Sequence, residues 1–221
     1  MIILQRSKEN SDDWRLLRIM IEEQSIKTFL DSLASDSPTP GGGTAAALSA
    51  AMSCSLMAMA LRVSQKKVQD PLMEQTAEKL DTFRHELLIL ADKDAEAFEA
   101  YMAARRLPKD TENERQERKN AMTKALIQAT QVPLSTMQTI ENAVEAVNGT
   151  VAEKVLPSVA SDLFSGIKLA EAAMQCAFAN VKINSTKDET QPLYEEALTL
   201  LNKFEEVVTK LEQTAKSLLG I

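Results

Sequence analysis

The sequence predicts an all-α fold, a single-domain bundle of about six long helices. Three observations carry this. Only six glycines and seven prolines punctuate 221 residues. Between them, apolar residues recur every three or four positions. No segment alternates apolar and polar residues between turn signals, as a half-buried strand does.

The elements follow in order. Residues 25–34 form a short helix. Pro38 and Pro40 then stiffen the approach to Gly41, Gly42 and Gly43, which open a helix over 42–63. Residues 71–104 form a long helix, with Met73, Ala77, Leu80, Phe83, Leu87, Leu90, Ala97 and Tyr101 at helical spacing. Residues 112–131 form the next. Its charged start, TENERQERK, reads as a solvated face. Pro133 should bend or restart this helix, and Asn148-Gly149 closes the continuation. A further helix spans 158–183. In 192–219, Ala197, Leu201, Phe204, Val208, Leu211, Ala215 and Leu218 share one face. Pro192 lies near its first turn and Gly220 follows as a stop. The chain shows no internal repeat and no low-complexity tract.

Composition excludes several classes of function. Lys and Arg number 25 against 32 Asp and Glu, a net charge of -7. There is no basic surplus to neutralise phosphates, so nucleic acid is not an expected partner. His85 is the single histidine, which excludes a histidine-built zinc site, and no metal is expected. Cys54 and Cys176 lie far apart in apolar runs and read as reduced, buried thiols of a cytoplasmic protein. The start, MIILQRSKENSDDWRLLRIM, lacks the apolar stretch and cleavage site of a signal peptide. No charge stands between Asp36 and Arg62, and that length suffices for a bilayer span. The run is mostly Ala, Ser and Gly, however, which transfer poorly into lipid. It reads instead as a core helix with no membrane partner. Its Ala46, Ala50, Ser53, Ala58 and Ala60 let neighbouring helices approach.

Some polar residues stand where apolar ones are expected. The three glycines are not a Walker loop, since no Gly-Lys-Ser/Thr follows, nor a dinucleotide fingerprint, since no strand precedes them. They open directly onto a helix N-terminus, so an anion site and a plain helix start both remain open. Asp94 follows Leu87 and Leu90 and precedes Phe98 on the apolar stripe. A buried carboxylate is costly unless paired or protonated. It is therefore either a structural hydrogen bond to a neighbour or a cleft-facing group with a raised pKa. Asp92 lies about 200° round the helix from Asp94 and reads as solvated or locally paired. His85 shares the Asp92 face and reads as surface. In 158–183, Lys168, Glu171, Gln175 and Lys182 form a narrow polar stripe. Asp162 and Asn180 fall opposite it, roughly 27 Å apart at the standard rise. Asn184 joins that side if the helix continues. Arg105, Arg106 and Lys109 end the Asp94 helix, where they suit its dipole or recognise an acidic ligand.

The stretches SDSPTPGGGTAAALSAAM, DKDAEAFEAYMAARRLPK, ATQVPL and SDLFSGIKLAEAAMQCAFANVKIN together resemble the cyclodeaminase/cyclohydrolase family. That family is best known as the C-terminal domain of formiminotransferase-cyclodeaminase, and free-standing bacterial versions exist. The resemblance covers roughly 22–218. It implies an all-helical, dimer-forming folate enzyme that needs no metal or nucleotide cofactor. Two activities are implied. One hydrolyses 5,10-methenyltetrahydrofolate to 10-formyltetrahydrofolate. The other converts 5-formimidoyltetrahydrofolate to the methenyl form with loss of ammonia. The lack of an attached formiminotransferase domain favours the first. A non-catalytic helical interaction module is the rival outside enzymes.

Carried over residue by residue, the family's glycine loop falls on Gly41, Gly42 and Gly43. Its acidic residue falls on Asp94, chosen over Asp92 by phase. Asp162 then positions substrate or stabilises its cationic carbon. The RLPK element places Arg106 and Lys109 as substrate contacts, and the NVxxN element adds Asn180 and Asn184. Two departures stand out. Residues 148–162 are looser than the family pattern, and residues 1–19 have no counterpart. Met20 is where family members begin, so the expected division is an N-terminal extension, 1–19, and a helical domain, 20–221.

Overall fold

Three of the seven helices start at side-chain caps that the sequence supplies. The computed structural model describes residues 20–221, and the expected extension, 1–19, lies outside the described residues. A 3-10 turn, Ile21–Glu23, comes first. Helix α1, Ile26–Leu33, starts behind Ser25, whose hydroxyl oxygen accepts the Thr28 N–H at 3.1 Å. Helix α2, Gly42–Val68, follows Gly41, which has no side chain to cap it. Helix α3, Pro71–Arg105, has Asp70 as cap and Pro71 in its first turn. Helix α4, Glu112–Val147, opens with a capping box between Thr111 and Glu114. Helix α5, Thr150–Glu153, is one turn after Gly149. Helix α6 is Ala160–Asn184 and α7 is Gln191–Leu219. Gly220 stops α7 in the left-handed region, at φ 73°. Among the described residues all regular structure is helical, with five long helices and two short ones.

One expected break does not occur. Helix α4 runs unbroken through Pro133. A proline has no N–H for the carbonyl four residues back, and its ring crowds that carbonyl. Here that carbonyl is Ala129, and the Asn184 side-chain amide Nδ2 donates to it at 2.8 Å. A side chain from α6 thus supplies the hydrogen bond that the proline cannot, and the helix continues.

Helices α2, α3, α4 and α6 close a four-membered ring, with α2 diagonal to α4, and α7 packs outside α6 and α4. Met57, Leu61, Leu87, Met137, Ile167 and Met174 are fully buried in its centre. Helices α2 and α6 approach closely at Gly166. A Cβ there would stand 2.9 Å from Met57 Cγ and 3.1 Å from the Ser53 carbonyl oxygen. The Ser53 hydroxyl donates to the Gly166 carbonyl at 2.6 Å, joining the two helices. Helix α2 is long and apolar enough to cross a bilayer, yet 61% of its most apolar window is buried inside the ring.

Two sequence expectations need correcting. Asp92 is not solvated: it is 4% exposed and accepts the Ile21 backbone N–H at 3.2 Å. The 3-10 turn packs on α3 and covers this second side of it. Cys176 is not buried. It is exposed on α6, whereas Cys54 is buried, and burial pushes the Cys54 thiol up to about 12.

Candidate active site

The start of α2 lacks a cap of its own, and α3 provides one. The Thr44 hydroxyl donates to Asp94 Oδ2 at 2.9 Å. The Thr44 backbone N–H also favours the charged form of this carboxylate. The anion that a glycine-opened helix N-terminus favours is therefore the protein's own. Gly43 makes this approach possible. A Cβ at that position would stand 2.6 Å from Asp94 Cγ and closer still to Oδ1. The other two glycines are not under that pressure. A Cβ on Gly41 or Gly42 would meet nothing nearer than 3.5 Å, and at Gly42 the nearest atom is Asn180 Nδ2.

Asp94 lies in opposing influences. Burial lifts its pKa above the ordinary carboxylate value, and the Thr44 hydroxyl and backbone N–H pull it down without cancelling the rise. The carboxyl group faces a cleft of about 410 Å³. Pro38, Thr39 and the three glycines form one side of it. Asp94, Phe98 and Tyr101 come from α3, Leu126 and Ala129 from α4, and Asn180, Ile183, Asn184 and Thr186 from the end of α6 and beyond. Among the described residues Asp94 is the one charged side chain in this lining. Pockets of a few hundred Å³ with few polar groups are typical of small-molecule sites.

The structure brings together Asp94, Gly41, Gly42, Gly43, Asn180 and Asn184. Both asparagines already use their amide nitrogens. Asn180 Nδ2 donates to the Cys176 carbonyl at 2.8 Å, and Asn184 Nδ2 to Ala129. Asp162, Arg106 and Lys109 are not in the lining. Asp162 is half-buried in the first turn of α6, the end away from Asn180. The eighteen residues between them amount to roughly 27 Å of helix, so the shared pocket expected for Asp94 and Asp162 does not form within one chain. Arg106 and Lys109 are exposed beyond α3.

Several lining or supporting residues escaped the sequence reading of the site, Phe98, Tyr101 and Thr44 among them. Phe98 and Tyr101 stand four and seven residues after Asp94, on the same helical face, so phase alone locates them. Thr44 directly follows the glycines, but only the structure shows which carboxylate its hydroxyl meets.

An all-helical ring with one half-buried carboxylate at a cleft of small-molecule size places the protein among helical proteins with a small-molecule site. The formiminotransferase-cyclodeaminase sequence profile matches residues 25–203. A methenyltetrahydrofolate cyclohydrolase of Methylorubrum extorquens is 37% identical over 183 residues, 81% of this chain and 88% of that protein. A formimidoyltransferase-cyclodeaminase of Gallus gallus is 33% identical over 200 residues, 86% of this chain but 35% of that longer protein. The crystal structure of formiminotetrahydrofolate cyclodeaminase from Thermotoga maritima has a TM-score of 0.75 at 29% identity, covering 90% of this chain and 98% of that one. The chain belongs to the formiminotransferase-cyclodeaminase family.

Proposed function

We propose that the chain is a methenyltetrahydrofolate cyclohydrolase, converting 5,10-methenyltetrahydrofolate and water to 10-formyltetrahydrofolate. One observation carries this: among the described residues, the single charged group lining the cleft is a carboxylate, Asp94. The bridging carbon of the substrate shares a positive charge with N5 and N10. A lone carboxylate in an otherwise uncharged cleft attracts that cation strongly. The reaction then needs one group to move a proton. Water adds to the bridging carbon and gives one proton to Asp94. The N5–carbon bond breaks, Asp94 passes its proton to N5, and the second water proton leaves as the formyl C=O forms. Burial keeps the carboxyl group closer to neutral pH than an exposed aspartate, which suits proton exchange in both directions. Phe98 and Tyr101 offer aromatic faces to the pterin ring.

The cyclodeaminase reaction is the second reading, supported by the likeness to the Thermotoga maritima cyclodeaminase. There N10 attacks the formimidoyl carbon, ammonia leaves, and Asp94 delivers the proton that ammonia carries away. Absorbance assays for loss of the methenyl form, and for its appearance from the formimidoyl form, separate the two. The non-catalytic module expects no pocket and a basic partner for Asp94. Asp94 instead meets Thr44 and a cleft. Neither reaction changes oxidation state or needs a group carrier, so no metal or nucleotide cofactor is proposed, and the enzyme is placed in the cytoplasm.

A homodimer through α2 is part of the same reading. Met52 and Met59 stand on its outer face, 53% and 38% exposed, with Leu48 and Leu56 half-buried at the edges of that face. No charge on this stretch opposes contact between two copies. Sedimentation should give a dimer that Met52→Asp dissociates; a monomeric parent at micromolar concentration sinks the idea.

A further inference from the structure

The buried threonines of α4 turn their hydroxyls back on their own helix. Thr130, Thr136 and Thr139 each donate to the carbonyl four residues earlier in α4. Thr44 does not. It is fully buried in the first turn of α2, and its hydroxyl crosses to α3 to reach Asp94 Oδ2. The neighbouring position is glycine, and a Cβ there would displace the carboxylate. Three consecutive features of α2 therefore serve one side chain on α3: an uncapped start, a missing Cβ and a diverted hydroxyl.

We propose that Thr44 is a positioning residue of the reaction, fixing one oxygen of the Asp94 carboxylate and favouring its ionised form. The proposal rests on the acid/base role given to Asp94. The hydroxyl is a donor to Oδ2, so it steadies the charged carboxylate more than the neutral acid. It opposes burial, which works in the other direction. The surroundings leave Thr44 without a competitor for this task. Among the described residues, helices α2, α4 and α6 and the segments at 38–39 and 186 bring no charged side chain to the cleft, and Tyr101 on α3 is its other titratable group.

The test compares Thr44→Val, which keeps the shape and removes the hydroxyl, with Thr44→Ser, which keeps the hydroxyl. Thr44→Ala serves in the same role should the valine variant not fold. Two readouts are taken in parallel. One is the pH profile of kcat/KM. The other is a carbon-13 NMR titration of the Asp94 side-chain carboxyl, assigned by its loss in Asp94→Asn. The hydroxyl-free variant should move both the Asp94 limb of the profile and the titration upward by about one to two pH units. The serine variant should leave both near the parent. If neither moves, the role of Thr44 is overturned, even if the variant is less stable or slower. If the titration moves and the rate profile does not, Asp94 is not the acid/base, and the role of Thr44 falls with it.

Discussion

Asp92 and Asp94 stand two residues apart on one helix, and each accepts a hydrogen bond from the start of another segment. Asp92 takes the backbone N–H of Ile21 and is sealed at 4% exposure under the 3-10 turn. Asp94 takes the hydroxyl of Thr44 and borders a cleft. Residue type and helix are the same. The difference is what lies beyond the carboxylate: packed protein for one, room for a ligand for the other. Burial alone marks neither as catalytic. A carboxylate acquires a chemical task when it is desolvated and still reachable.

The sharpest break in this comparison is Asp94→Asn. Turnover should fall by about 10²- to 10⁴-fold, the usual share of a general acid/base, while Thr44 retains an acceptor. Stability should move the other way. The folded-state pKa of Asp94 is raised by burial, so folding takes up a proton between the ordinary carboxylate value and the raised one. Parent stability therefore falls as pH rises through that window and stays lower above it. Thermal melts of the variant should match the parent below the window and exceed it above. Retained turnover would falsify the assignment of Asp94.

Next comes Gly43→Ala. Its Cβ forces the carboxylate out of place, and a displacement near 1 Å costs about 10²-fold in rate. Gly42→Ala, with ordinary contacts around its Cβ, should fold and bind the reaction's products far better than Gly43→Ala. Equal losses at the two glycines would remove the special status of position 43. Asn184→Ala leaves the Ala129 carbonyl without its donor. The expected cost is roughly 1–3 kcal/mol of stability, read from the urea midpoint. The smallest effect belongs to Asp92→Asn. It should lose about 1 kcal/mol from the weaker bond to Ile21 and leave kcat unchanged. A loss of turnover there, like that at Asp94, would erase the contrast between the two carboxylates.

Helical phase was enough to place the five long helices and to put Asp94 on an inner face, since both follow from the period of apolar residues. Phase failed at Asp92 because it assumes a single buried side. Helix α3 has two, and the second is covered by a turn some seventy residues away in sequence, between Ile21 and Asp92. It failed at Pro133 for a similar reason: the compensating donor, Asn184, belongs to another helix. Asp162 faced inward in the helical projection, but a projection discards distance along the axis, and roughly 27 Å separates it from Asn180. The glycines left two possibilities at the start of α2, an anion or a plain helix start. That the first holds, with Asp94 as the anion, depends on how α2 and α3 pack, which no local pattern encodes.

The link between Pro133 and Asn184 makes two distant positions interdependent. Replacing the proline with alanine would restore the N–H that serves the Ala129 carbonyl, and the Asn184 amide would then be free to turn toward the cleft. A substitution in the middle of α4, touching no ligand, would in that way alter which polar groups the ligand meets. The fit of the cleft to its ligand is thus encoded partly in the backbone requirements of a helix that contributes only apolar side chains to its walls.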